Sequence, residues 1–213
     1  MVPFLALPGP HAEMTEISKA LDQLSPQHAI DVINWKGYDK RPEVKFTIAY
    51  GSSEIYIKYY VTEPFTRAVH TQSNEEVYED SCVEFFVAPD SDGIYYNFEF
   101  NAIGTCLMGM GPDRKSRHRL DPEIIAKIRR LSSLGDQPFA EKKKGPSWEL
   151  TVAISLEVFI GMDSKDLSGK TFKANFYKCG DKLSRPHYLS WNPIGTKKPD
   201  FHRPEYFGNI KFE

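Results

Sequence analysis

The stretch YEDSCVEFFVAPDSDGIYYNFEFN, residues 78 to 101, constrains the fold more than any other part of the chain. Strand side chains alternate between two faces, so Val83, Phe85 and Val87 share one face while Cys82, Glu84, Phe86 and Ala88 share the other. In the second run Ile94, Tyr96, Phe98 and Phe100 form the apolar set, and Tyr95, Asn97, Glu99 and Asn101 form the polar one. Matching the apolar sets fixes the register of a hairpin, closed over the turn-forming residues Pro89 to Gly93. One face then belongs to a core. The opposite face gathers Glu84, Asn97, Glu99 and Asn101 beside Phe86 and Tyr95, either as a polar binding surface with aromatic floors or as the solvated outside of a sheet.

The other strand patterns are VKFTIAY (44–50), SEIYIKYYVT (53–62), GTCLMGM (104–110), WELTVAIS (148–155), TFKANFYK (171–178), HYLSW (187–191) and FGNIKF (207–212). Residues 11–24 place Met14, Ile17, Leu21 and Leu24 at helical spacing, and Pro26 ends that helix. Asp121 and Pro122 read as the cap and first residue of a second short helix over 121–128. About nine strands without βαβ alternation predict an all-β fold, an antiparallel β-sandwich with one or two short peripheral helices. A chain of 213 residues fits one such domain over 1–213, with 111–147 as a long insertion between strands.

The formal net charge of -2, from 27 basic and 29 acidic residues, gives no overall pull toward nucleic acid, so no nucleic-acid partner is expected. The clusters RKSRHR (114–119), KIRR (127–130) and KKK (142–144) read as solvated loop charges. Cys82, Cys106 and Cys179 contain no CxxC pair and read as small buried hydrophobes. No apolar run is long enough to span a bilayer. The opening MVPFLALPGP lacks a basic leader, so a secreted or periplasmic location is expected only if a signal peptide was removed, and a cytoplasmic one otherwise.

The ordered blocks EIYIKYYVTEP (54–64), EDSCVEFFVAP (79–89), YYNFEFNAIGT (95–105), WELTVAIS (148–155), FKANFYKCG (172–180), LSWNP (189–193) and FHRPEYFGNIKF (201–212) resemble the family 9 carbohydrate-binding modules, within the wider DOMON-like sandwich group. The resemblance implies a non-catalytic domain in which two aromatic side chains clamp a sugar ring while carboxylates and basic or amide groups hydrogen-bond its hydroxyls. It places the clamp at Tyr78 and Phe201, and the family's glutamate at Glu84. Tyr78 and Phe201 are smaller than the usual tryptophans, and Glu99 stands where some relatives carry a basic residue.

The residues support that chemistry on their own terms. A pyranose presents apolar C–H faces and a hydroxyl rim, which suit an aromatic surface bordered by charged and amide groups. Glu84, Asn97 and Glu99 supply acceptors and donors, and His202 and Arg203 are candidate rim donors. Trp191, at a strand end, either buttresses the slot or caps the sandwich. Trp35 and Trp148 read as core. The expected partner is a mono- or oligosaccharide. Glu84 and Glu99 also admit a glycoside hydrolase, whose two carboxyl groups flank the scissile bond. A third reading is a structural or partner-binding sandwich with a decayed sugar site. No cofactor is required; a structural calcium site stays open, although DSDG (90–93) carries only part of a calcium loop. Met108, Met110 and His187 raise haem ligation, but strand methionines more often fill cores.

Overall fold

A computed structural model describes residues 1–7, 12–38, 42–145, 147–162 and 166–213. Along the chain run α1 (Met14–Asp22), β1 (His28–Ala29), β2 (Val32–Ile33), β3 (Glu43–Tyr50), β4 (Glu54–Thr62), β5 (Phe65–Ala68), β6 (Cys82–Ala88), β7 (Tyr95–Asn101) and β8 (Cys106–Gly111). There follow β9 (His118–Arg119), α2 (Pro122–Ile125), β10 (Ile128–Ser132), β11 (Phe139–Lys143), β12 (Trp148–Ser155), β13 (Thr171–Cys179), β14 (Tyr188–Ser190) and β15 (Gly208–Lys211).

Most strands form two antiparallel sheets packed face to face, and β5 and β11 make a separate two-stranded sheet. One has the order β1-β3-β4-β12-β10; the other runs β2-β14-β13-β6-β7-β8-β9, with β15 pairing the first half of β13. The pleat explains how they join. Inward residues Phe46, Ile57, Tyr59 and Leu150 of the first sheet meet Val83, Phe85, Phe98 and Phe176 of the second in one buried cluster. Phe46 stacks on Phe176 with ring centroids 3.8 Å apart. The hairpin register follows from this burial: Val83 faces Phe100, Phe85 faces Phe98, and Val87 faces Tyr96.

Both sheets are also covered on their outer sides. On the first, α1 sets Ile17 and Leu21 against Ala49, Tyr56 and Ala153. The helix begins with a reciprocal capping box between Glu13 and Glu16. The predicted start at residue 11 lies outside the described residues. On the second sheet, Phe86, Tyr95, Leu107 and Tyr177 are roofed by Trp35, Val77, Ile194, Phe201 and Phe207 from loops. Among the described residues, no helix is long and apolar enough to cross a membrane.

The segment 111–147 differs from the insertion expected of it. Its β10 completes the first sheet by pairing with β12 from Ile128 to Ser132, and its β11 pairs with β5. The basic clusters are accordingly not simply solvated loop charges. Arg129 on β10 holds buried Glu54 through two hydrogen bonds of 3.0 and 2.7 Å, and Lys142 and Lys143 lie on β11. The second helix is one turn, Pro122–Ile125, with the Asp121 carboxylate accepting from the Glu123 amide.

Candidate functional site

The outer face of β6 and β7 is neither a solvated surface nor an open binding plate. Glu84 and Glu99 are direct cross-strand partners, only 2% and 3% exposed. Loops rise around them and leave a cleft of about 130 Å³ with the two carboxyl groups in its lining. Tyr78 and Asp181 form part of the wall, joined by a backbone hydrogen bond from the Asp181 amide to the Tyr78 carbonyl. Arg114, Arg117 and Arg119 come from the chain between β8 and α2, and Tyr188 from β14. Pro199, Asp200, Phe201 and His202 complete the opposite side, with Cys179 low in the cleft beside Glu84.

Buried amides and carboxylates hold these loops. Asp80 accepts from the backbone amides of Val69 and His70 and from Asn101 Nδ2, while its other oxygen meets Arg67 at 3.2 Å. This fixes the chain leading into Tyr78. Asn175 Oδ1 accepts from the Asn192 amide and its Nδ2 donates to the Asn192 carbonyl; Asn34 Oδ1 accepts from the Ile194 amide. These contacts set the path of the loop that returns Phe201 and His202 to the sheet. Asp80, Asn101 and Asn175 thus position the cleft from behind.

Five of the residues singled out in the sequence are brought together here: Tyr78, Glu84, Glu99, Phe201 and His202. Phe201 stacks on Tyr177 at 4.2 Å with the rings 7° apart, and Trp35 and Tyr188 pack around it. One aromatic face is therefore already occupied by protein. His202 shares a 2.8 Å hydrogen bond through Nδ1 with the Tyr95 hydroxyl. Burial and the nearby Arg117 and Arg114 push its pKa down to about 2, so the ring is neutral.

Three others are placed elsewhere. Asn97 is fully buried behind the cleft and donates to Glu99 Oε1 at 3.0 Å. Trp191 packs against His28, Phe46 and Phe176 in the main core, capping the sandwich rather than bordering the cleft. Arg203 pairs with Glu205, two residues further along the chain. Trp148 is core as expected, whereas Trp35 belongs to the layer roofing the second sheet and donates from Nε1 to the Thr196 carbonyl. Met108 lies in the main core, and His187 Nε2 is engaged by Lys178.

Sequence reasoning did not single out Arg117, Asp181, Tyr188 or Asp200. Arg117 is mostly covered, its Nη1 lies 3.8 Å from Glu99 Oε1, and that buried nitrogen has no hydrogen-bond partner among the described residues. A basic residue inside a loop cluster gave no sign of this. Tyr188 could have been suspected from its place at the start of the HYLSW pattern, where an aromatic alternates with the core residue Leu189.

Burial governs the electrostatics. Desolvation, and then the charge of Glu99, raise the Glu84 carboxyl well above the usual range. Glu99 is pushed up to about 7 by desolvation, against the opposing pull of Arg117 and the Asn97 hydrogen bond. A buried, partly compensated carboxyl pair beside an underused guanidinium and aromatic edges is suited to exchanging hydrogen bonds with a polyhydroxylated ligand.

Comparison with known proteins gives an independent line. Residues 16–212 match the model of the family described as carbohydrate-binding family 9. A solved structure described as a "putative carbohydrate-binding protein" from Bacteroides uniformis is 42% identical, with a TM-score of 0.94 over 100% of this chain and 97% of that one. A family 9 module from Caldicellulosiruptor kristjanssonii in complex with cellotriose has a TM-score of 0.60 at 14% identity, covering 100% of this chain and 92% of that one. A structure of such a module from the same organism in complex with glucose has a TM-score of 0.55 at 13% identity, with 100% and 94% covered. No curated protein matches the chain.

Proposed function

Since the chain belongs to carbohydrate-binding family 9, we propose that it binds a mono- or oligosaccharide in the cleft over Glu84 and Glu99 without cleaving it. The observation that carries this reading is the convergence of a carboxyl pair, the unsatisfied Arg117 Nη1 and the aromatic residues Tyr78, Tyr188 and Phe201 on one opening. The sugar's C–H face packs against the aromatic rings. Its hydroxyls donate to Glu84 and Glu99 and accept from Arg117, while Asn97 keeps the Glu99 carboxylate oriented from behind. The biological role is glycan capture, in support of degradation or uptake. The related modules seen with cellotriose and glucose make these two sugars the first probes.

The hydrolase alternative rests on the same carboxyl pair. A glycosidase needs its two carboxyl groups in different states, one protonated as acid and one ionised. Here burial raises both carboxyl groups, Glu84 well above the usual range and Glu99 to about 7, where Arg117 and the Asn97 hydrogen bond oppose the rise. Membership of a carbohydrate-binding family favours the binder, and an assay for sugar release separates the two readings.

Calorimetric titration of the chain with glucose, cellotriose and a panel of other mono- and oligosaccharides tests the proposal, together with an assay for released reducing sugar. Binding without release is expected. Absence of binding across the panel would favour the structural sandwich, and release that disappears in Glu84→Gln would favour the enzyme.

A further inference from the structure

The cleft floor contains a group that sugar recognition does not call for. Cys82 and Cys179 are direct partners across β6 and β13, both free and buried, and Glu84 follows Cys82 by two residues on the same sheet face. One sulfur, Cys179 Sγ, lies 3.1 Å from Glu84 Oε1, and the other, Cys82 Sγ, lies 3.9 Å from it. The two sulfurs and a carboxylate oxygen all fall within 4.8 Å of one another. We infer that Cys82, Cys179 and Glu84 form a binding site for a thiophilic divalent cation, Zn²⁺ in the first instance.

The geometry is close to what such an ion needs. With Zn–S near 2.3 Å and Zn–O near 2.0 Å, the edges of a tetrahedron between ligand atoms are about 3.5 to 3.8 Å. The two sulfur-to-oxygen distances, 3.1 and 3.9 Å, bracket that range, and the sulfur-to-sulfur distance is within 4.8 Å, so the ion needs only side-chain adjustment to draw the three ligands in. All three ligands stand on paired strands rather than loops, which holds their directions. Two sulfur donors with one carboxylate favour zinc over calcium or magnesium, which take oxygen ligands. Binding displaces the two thiol protons, and that of Glu84 where it is present, to solvent. Glu84 and Cys179 also line the cleft, so the fourth coordination position opens toward it and is left to water or a ligand hydroxyl.

Cys106 supplies an internal control. It is equally buried, but it lies in the main core between the sheets, on the opposite face from Glu84. The test uses the full chain, freed of metal by a chelator, kept reduced with a phosphine and titrated anaerobically with Co²⁺. One equivalent is expected to bind, with thiolate-to-cobalt charge transfer and tetrahedral visible bands that Zn²⁺ bleaches. These bands should persist in Cys106→Ser and be lost in Cys82→Ser and Cys179→Ser. On the unmodified protein loaded with Zn²⁺, X-ray absorption should show two sulfur neighbours at about 2.3 Å and an oxygen or nitrogen shell. The inference is overturned if the reduced wild type takes up neither ion, if the cobalt bands survive both serine changes, or if the zinc shell lacks sulfur. None of these readings depends on whether a sugar binds.

Discussion

Glu84 and Glu99 face each other directly across β6 and β7, each almost completely buried, with Arg117 3.8 Å from the second as its ion-pair partner. Neighbouring buried carboxyl groups oppose each other's ionisation, and both line the cleft, where a ligand can reach them. In the proposed complex each accepts from a sugar hydroxyl. Glu84→Gln should therefore weaken sugar binding by about 1.5 to 3 kcal/mol or less, because the amide keeps one acceptor. Tyr78→Ala should cost about 0.5 to 1.5 kcal/mol of affinity. Calorimetry on both variants checks this, with circular dichroism to confirm the fold.

Phe98 occupies the reverse side of the same strand, packed between Phe85, Tyr96 and Phe159 with no exposed surface. Phe98→Ala should lower unfolding free energy by about 3 to 5 kcal/mol in a denaturant titration. A loss below about 1 kcal/mol would mean that this side chain contributes far less than its burial implies.

Lys178 and Glu63 form an ion pair of 2.9 Å with both side chains fully buried. Trp148 Nε1 donates to the other Glu63 oxygen, and Lys178 also donates to the Cys179 carbonyl and to His187 Nε2. Lys178→Met strands a carboxylate in the core and should cost about 3 to 5 kcal/mol. Adding Glu63→Gln should recover part of that loss, a pattern that a double-mutant cycle measures.

His187 gives the fold an acid dependence. Burial and Lys178 lower its pKa from 6.5 to about 2, so between those values the unfolded chain binds a proton that the folded chain does not. Stability should fall with decreasing pH, from near 6.5 downward, at up to about 1.4 kcal/mol per pH unit for this one group. His202 is shifted in the same direction. Denaturation midpoints measured from pH 7 to pH 4 should show a shallower slope in His187→Gln than in the wild type.

The sheets were legible where period-two patterns had a buried face to enforce them. β6 and β7 are the clearest case, because their apolar sets must meet Phe46 and Tyr59 of the other sheet across the core. β10 was hidden because Arg129 and Arg130 read as solvent charges, and Arg129 is satisfied by Glu54, 75 positions earlier. β1, β2 and β9 have two residues each, too few to show a period. The same limit applied to the cleft. Glu84 and Glu99 stood out as acids within aromatic strands, whereas Arg117, Asp181 and Tyr188 meet them only through loops closed by distant contacts. Asn97 shares the face of Glu99, but the pattern could not tell that Leu107, Tyr95 and the covering loops would seal it behind the carboxylate.

A crystal structure of the chain soaked with a sugar found to bind in solution decides whether the cleft over the carboxyl pair is the sugar site. A sugar ring is expected in the cleft against Tyr78 and Phe201, with hydroxyls within hydrogen-bond distance of Glu84, Glu99 and Arg117. A well-ordered sugar bound at another surface, with this cleft holding only solvent, would contradict it.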